Sequence, residues 1–174
     1  MYTVFSLNYL EKLMDELIEK LTIKHLGNES LQTIISRMEF TLKYFEDNKD
    51  YNHFIPFLQT YLFVTKGVCE KINKADGYFN NISGMEQLDV FFAKLYFDPL
   101  REYIVKGELS EPWKNYLTFC KDGYDSPFIQ LLVGINVHIN SDLVHSLYSL
   151  KYTEDEDFQK INEILLDIIP SLMS

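Results

Sequence analysis

Apolar residues recur at intervals of three and four along almost the whole chain, with charged and polar residues between them. This spacing places the apolar residues on one face of an α-helix, whereas a half-buried strand would need strict alternation. The first such segment covers residues 7–21 and the second covers residues 29–47. The chain is therefore predicted to begin with two amphipathic helices.

Prolines and capping residues predict where the later helices begin. A proline is tolerated only in the first turn of a helix, so Pro56 places the start of the third helix near residue 54. Ser83 and Glu86 form a capping box for the fourth helix, which Pro99 must kink or split. Three further helices are predicted over residues 110–123, 126–151 and 153 onward. The expected fold is all-α, a single domain of residues 1–174 built as a bundle of about seven helices.

The sixth helix contains the segment LLVGINVHINSDLVHSLYSL, residues 131–150, whose apolar residues fall on two opposite flanks. At 100° per residue, Ile139 belongs to one flank and Val144 to the other. A helix with two apolar flanks is normally surrounded by other helices. We therefore expect the 126–151 helix to be the central one, with its polar residues pointing into the protein.

Composition supports a folded protein and excludes some partners. The 174 residues are 47% hydrophobic with only 7 Gly and 5 Pro, which is ample for one buried core. A net charge of -10 argues against binding nucleic acid, which needs a basic face. No signal peptide or membrane-spanning segment is predicted, so a cytoplasmic location is expected. Cys69 and Cys120 lack metal-type spacing and are expected to be buried, reduced thiols.

The polar residues of the sixth helix form two stripes on opposite sides. Asn136 and Asn140 make up one stripe, and His138, Asp142 and His145 make up the other. Only the second stripe can titrate. Burying a carboxylate without a partner costs roughly several kcal/mol, so Asp142 is expected to be paired, hydrated or bound to a cation. His138 lies one turn earlier on the same face and is the nearest partner along the helix.

Two interpretations of these stripes remain open. In the first, His138, Asp142 and His145 line a polar pocket, either as metal ligands or with an imidazole that a carboxylate orients as general base. In the second, the same residues form a satisfied buried network that determines helix packing. Asn136 and Asn140 would then tie neighbouring backbones together.

Four segments resemble those of a known family. The stretch INVHINSDL resembles the Asn-Ala-His-Ile-Asn-x-Asp-Leu signature of a mostly bacterial family of proteins of unknown function. Similar to its other segments are LDVFFAKLYFDPL, EPWKNYL and DFQKINEILL, so the likeness spans roughly residues 50–170. The positions that match the family pattern are Asn136, His138, Asn140, Asp142, Asp89, Asp157 and Asn162. The resemblance favours a site at these positions without implying any activity.

A metal site is one hypothesis that follows. Asp89 on the fourth helix and Asp157 at the start of the seventh are expected to converge on His138 and Asp142. One imidazole and three carboxylates suit a divalent cation such as Zn, Mn or Fe that holds a hydrolytic water. Alternatively, Asp89 is a solvated residue and Asp157 a first-turn residue favoured by the helix dipole.

Two classes of function follow, and the sequence does not decide whether the protein is an enzyme. The first is a small hydrolytic enzyme, with or without a divalent metal, in which His138 is the base or a ligand and Asp142 orients it. The second is a non-catalytic helical module that binds a protein or a small apolar ligand. In that module the polar network, with Asn136, Asn140 and Asn162, is structural.

Overall fold

Seven helices and no strand are found in the part of the chain that the computed structural model describes, residues 4–74, 77–109, 111–123, 126–153 and 155–172. The predicted all-α bundle is therefore confirmed. The helices are α1 (Val4–Lys20), α2 (Leu31–Asp47), α3 (Ile55–Asn73), α4 (Ile82–Lys106), α5 (Trp113–Lys121), α6 (Pro127–Val137, continued by His138–Leu143 and Val144–Leu150) and α7 (Asp155–Leu172). Short 3-10 turns occupy Leu26–Asn28 and Lys49–Phe54. Within the described ranges, no helix is long and apolar enough to cross a membrane.

Local sequence determines where most of these helices begin. Ser30 caps α2 by accepting a hydrogen bond from the backbone N–H of Thr33. Pro56 lies in the first turn of α3, and Pro127 is the first residue of α6, as the sequence predicts. Proline is favoured there because the first N–H groups of a helix have no acceptor within the helix.

The start of α4 differs from the prediction. The capping residue is Asn81, whose Oδ1 accepts a hydrogen bond from the N–H of Gly84 at 2.9 Å, and Ser83 lies inside the helix. The carboxylate of Asp157 on α7 accepts a hydrogen bond from the backbone N–H of Asn81. This tertiary contact stabilises the start of α4 at Asn81, two residues earlier than predicted. The helix is not split at Pro99 but continues to Lys106.

The core lies between α1, α2, α3, α4 and α5, where α2 and α3 form the most extensive helix pair. Aromatic residues supply much of its volume. The largest fully buried side chains include Tyr96, Tyr116, Phe45, Phe54 and Phe97. Cys69 and Cys120 are buried free thiols, as expected.

Helix α6 packs its first half on α3 and α5 and its second half on α4. Gly134 permits a close approach to α3, because a Cβ at this position would lie 2.8 Å from a ring carbon of Phe57. Both apolar flanks of α6 are partly exposed, one at Phe128, Leu132 and Ile139 and the other at Val144 and Tyr148. The expectation that both flanks are covered is therefore wrong, since apolar spacing does not reveal whether a neighbouring helix is present.

Candidate functional site: a buried histidine and aspartate beside a cavity

His138 and Asp142 lie on a turn of α6 whose backbone is π-helical over His138–Leu143. Single π-turns within α-helices are rare and are frequent at functional sites. Both side chains are buried. The buried hydroxyl of Ser146 donates to the backbone carbonyl of Asp142 at 2.8 Å and so satisfies an acceptor of the widened turn.

The pairing of His138 with Asp142 that the sequence predicts is present. Nδ1 of His138 lies 2.8 Å from Oδ2 of Asp142, and Nε1 of Trp113 donates to the same oxygen at 3.0 Å. The indole N–H can only donate, so Oδ2 is an acceptor, and the imidazole proton lies on Nδ1. In the neutral ring, Nε2 is then left with a free lone pair.

Aromatic side chains enclose the imidazole of His138. The ring of Phe92 stacks on it with centroids 3.6 Å apart, and Tyr61 and Phe57 contact it with centroids at 4.6 and 5.1 Å. Burial lowers the pKa of His138 below its usual value, although the hydrogen bond and charge of Asp142 oppose this change. The ring is therefore neutral at pH 7, and Nε2 can accept a proton.

His138 contributes to the wall of a cavity of about 90 Å³ between α3, α4, α6 and α7. The walls are largely apolar, with Leu88 and Phe158 among them. Nε2 of His138, the hydroxyl of Tyr61 and Oδ2 of Asp89 are buried and make no hydrogen bond within the described part of the chain. Each group left unpaired would cost about 1 to 3 kcal/mol, so three around one cavity indicate that water or another small molecule completes their hydrogen bonds.

The protonation states of the other two groups complement the histidine. Burial raises the pKa of Asp89 to about 7. Burial, together with the charges of Asp89 and Asp142, raises the pKa of Tyr61 well above its usual value, so its hydroxyl remains a donor. Near neutral pH the cavity thus offers one base, one hydroxyl donor and one carboxyl group that exchanges its proton. Among the described residues, no lysine or arginine lines it.

The four predicted metal ligands are not brought together. Asp89 lines the same cavity as His138 and is not the solvated residue that was the alternative. Asp157 instead accepts hydrogen bonds from the backbone N–H groups of Asn80 and Asn81, at 2.8 and 2.7 Å, and from Lys160. Within the described ranges, no three His, Cys, Asp or Glu side chains are grouped to hold a metal ion.

The asparagine stripe lies on the surface, and among the described residues its side chains hydrogen-bond within α6 and do not tie neighbouring helices together. Nδ2 of Asn140 donates to the backbone carbonyl and to Oδ1 of Asn136 at 3.0 and 2.7 Å, and both residues are exposed. Asn162 lies apart from them on α7, where it lines the cavity. His145 is exposed and stacks on Phe91 outside the cavity.

Sequence reasoning missed several residues of the site. Tyr61 has the helical spacing of an ordinary core aromatic, so nothing in a single sequence distinguishes it. Phe92 and Trp113 lie in LDVFFAKLYFDPL and EPWKNYL, two of the segments that resemble the family, and these positions were the available signal.

These features define an all-α protein with a buried histidine and aspartate pair at the wall of a small apolar cavity. A family model matches residues 31–174, and the chain belongs to that family, a family of unknown function (DUF5995). The matched range includes residues 50–170, where the sequence resembles the family, and begins earlier, at the first residue of α2. Comparisons with curated proteins and with solved structures find no match.

Proposed function

We propose that this protein is a hydrolytic enzyme that uses His138 as general base on a water molecule in the cavity. The observation that carries the proposal is the state of the imidazole. Its Nδ1 is held by Asp142, while its Nε2 is buried at the cavity wall without a hydrogen-bond partner. A carboxylate that orients a neutral imidazole in this way prepares the opposite nitrogen to take a proton.

Hydrolysis of an ester illustrates how the three polar groups would act together. Nε2 of His138 takes a proton from water as the water oxygen bonds to the carbonyl carbon. The hydroxyl of Tyr61 donates a hydrogen bond to the carbonyl oxygen as it gains charge. The neutral carboxyl of Asp89 gives its proton to the departing alkoxide, and the proton on His138 then returns to Asp89 through solvent.

The lining and the volume of the cavity favour a small, uncharged substrate. Its surface is mainly apolar, and its volume of about 90 Å³ accommodates a short polar group and a few waters. A phosphate or sulfate ester would meet the carboxyl of Asp89 with no cationic side chain from the wall to balance it.

The test is the hydrolysis of p-nitrophenyl acetate by the purified protein. His138→Gln is expected to lower kcat/KM about 100-fold or more, the usual contribution of a general base. His145→Gln, a change in an exposed histidine of the same helix, is the matched control and should leave the rate unchanged. A His138→Gln rate within threefold of the unchanged protein would overturn the proposal.

A second variant separates loss of chemistry from loss of fold. Tyr61→Phe removes a buried hydroxyl that has no partner, so the free energy of unfolding should rise by about 1 kcal/mol while kcat falls. The pH profile adds a further check. For an ester with an alkoxide leaving group, such as ethyl acetate, Asp89 must be protonated, so kcat/KM should fall as the pH rises above the Asp89 pKa of about 7.

A further inference from the structure

Helix α6 carries a row of exposed apolar side chains that begins at the cavity wall. Ile139 lines the cavity and is 38% exposed, while Leu132 and Phe128 are 46% and 50% exposed. Spacings of seven and four residues place these three side chains on one face of the helix. We call them the α6 row. At 1.5 Å per residue, the row is about 16 Å long.

The cavity opens to solvent at one end of this row. Ile139 on α6 and Asn162 on α7 both line the cavity and are both exposed, so the mouth lies between these two helices. Ile135, one turn before Ile139, lines the cavity as well. The apolar wall of the cavity therefore continues along α6 to Leu132 and Phe128. Apolar surface that continues from a cavity adds to the area that a ligand bound in the cavity can bury.

We infer that the substrate is an uncharged amphiphile with a linear aliphatic chain. Its reactive polar group enters the cavity, and its chain leaves the mouth and lies along the α6 row. This inference rests on the proposed function and names the substrate class of the same site.

The shape and charge of the surface favour this occupant over others. The row joins the cavity through Ile139, so a flexible chain can occupy both at once, whereas a second protein could cover only the row. A fatty-acid anion is disfavoured, because Asp89 lines the cavity and the protein has a net charge of -10. An alcohol or ester with an aliphatic chain is uncharged and flexible, so it fits both the cavity and the row.

The experiment compares p-nitrophenyl acetate, butyrate, hexanoate and octanoate as substrates. Burial of part of each methylene should raise kcat/KM about twofold per added carbon. Leu132→Gln should lower the ratio of the octanoate to the acetate kcat/KM at least fivefold. Tyr148→Gln changes a side chain of the same helix that is 84% exposed and lies off the row, and it should leave that ratio unchanged.

Binding of butanol, octanol and octanoate, measured by calorimetry, tests the same inference without turnover. Octanol should bind more tightly than butanol, octanoate should bind weakly, and Leu132→Gln should weaken octanol most. Equal binding of the two alcohols, or none, would overturn the chain-binding role even if His138-dependent ester hydrolysis is found. Hydrolysis that does not depend on His138, combined with selective octanol binding, would overturn the proposed reaction and leave the ligand class standing.

A second copy of the chain is the competing occupant. Sedimentation analysis of the unchanged protein and of Leu132→Gln distinguishes it. A dimer that Leu132→Gln converts to a monomer, with unchanged octanol affinity, would show that the row is an interface between copies and would refute the inference.

Discussion

Asp142 is the residue whose removal tests the site most directly. Asp142→Ala removes the acceptor for two buried donors, the Nε1–H of Trp113 and the Nδ1–H of His138. Each donor left unsatisfied costs about 1 to 3 kcal/mol, while loss of a buried carboxylate recovers part of that amount. The free energy of unfolding should therefore fall by about 2 to 4 kcal/mol.

Asp142→Asn should act differently, because the shape of the side chain is kept. Trp113 and His138 share one oxygen of Asp142, so the amide oxygen of the variant can take its place and accept from both. The imidazole proton then stays on Nδ1, but the neutral amide no longer stabilises the positive charge that the ring gains when Nε2 takes a proton. Stability should fall by only about 1 kcal/mol, whereas ester hydrolysis should fall about tenfold, since a hydrogen bond to a charged group is stronger than one between neutral groups by about 1 to 1.5 kcal/mol.

Urea unfolding followed by circular dichroism measures both stabilities, and imidazole ¹⁵N chemical shifts report which nitrogen of His138 carries the proton. Tyr148→Gln, which changes a side chain of α6 that is 84% exposed, is the control for both measurements. The reasoning is refuted if Asp142→Ala stays within about 0.5 kcal/mol of the unchanged protein, a typical surface effect. It is also refuted if Asp142→Asn moves the proton to Nε2.

Three further predictions concern stability, each measured by urea unfolding. Burial raises the pKa of Asp89 from 3.8 to about 7, so its neutral form stabilises the fold below pH 4 and this contribution is lost as pH rises through 7. Asp89→Asn should therefore gain up to about 4 kcal/mol between pH 4 and pH 8 relative to the unchanged protein, and no gain would contradict this. Burial acts to raise the pKa of Asp157, but hydrogen bonds from backbone amides 80 and 81 and from Lys160 outweigh it and lower the pKa. Asp157→Ala should cost about 2 to 4 kcal/mol at pH 7 and less as pH falls through that lowered pKa, and an equal cost at pH 2 would refute this. Gly134→Ala should cost about 1 to 3 kcal/mol by displacing the ring of Phe57. Gly27→Ala, where a Cβ meets nothing within 4 Å, is its control, and equal effects of the two changes would refute the close approach.

The parts of the site that the sequence predicts are those within reach along one helix. His138 and Asp142 are four residues apart, so their pairing follows from helical geometry and from the cost of a buried carboxylate. Trp113 and Tyr61 join the site from other helices. No spacing along the chain reports such contacts, because they depend on how the helices pack.

For Asp157, the sequence predicts the position in a helix but not the partner of the side chain. Its place in the first turn of α7 is readable from the sequence, but its carboxylate could serve a metal, the helix dipole or another segment. In the structure, this carboxylate accepts hydrogen bonds from the two backbone amides before α4. That contact also explains why α4 begins after Asn81 and not at the capping box of Ser83.

The sequence by itself determined the all-α class, the approximate extent of the seven helices and the local pairing of His138 with Asp142, because each depends on interactions within a few residues. Tertiary structure alone decided that Asp89 and Tyr61 face the same cavity as His138 while Asp157 does not. It also decided that both apolar flanks of α6 are partly exposed. The physical reason is that apolar spacing identifies the face a helix can bury, whereas the neighbour that covers it, or its absence, depends on the packing of distant segments.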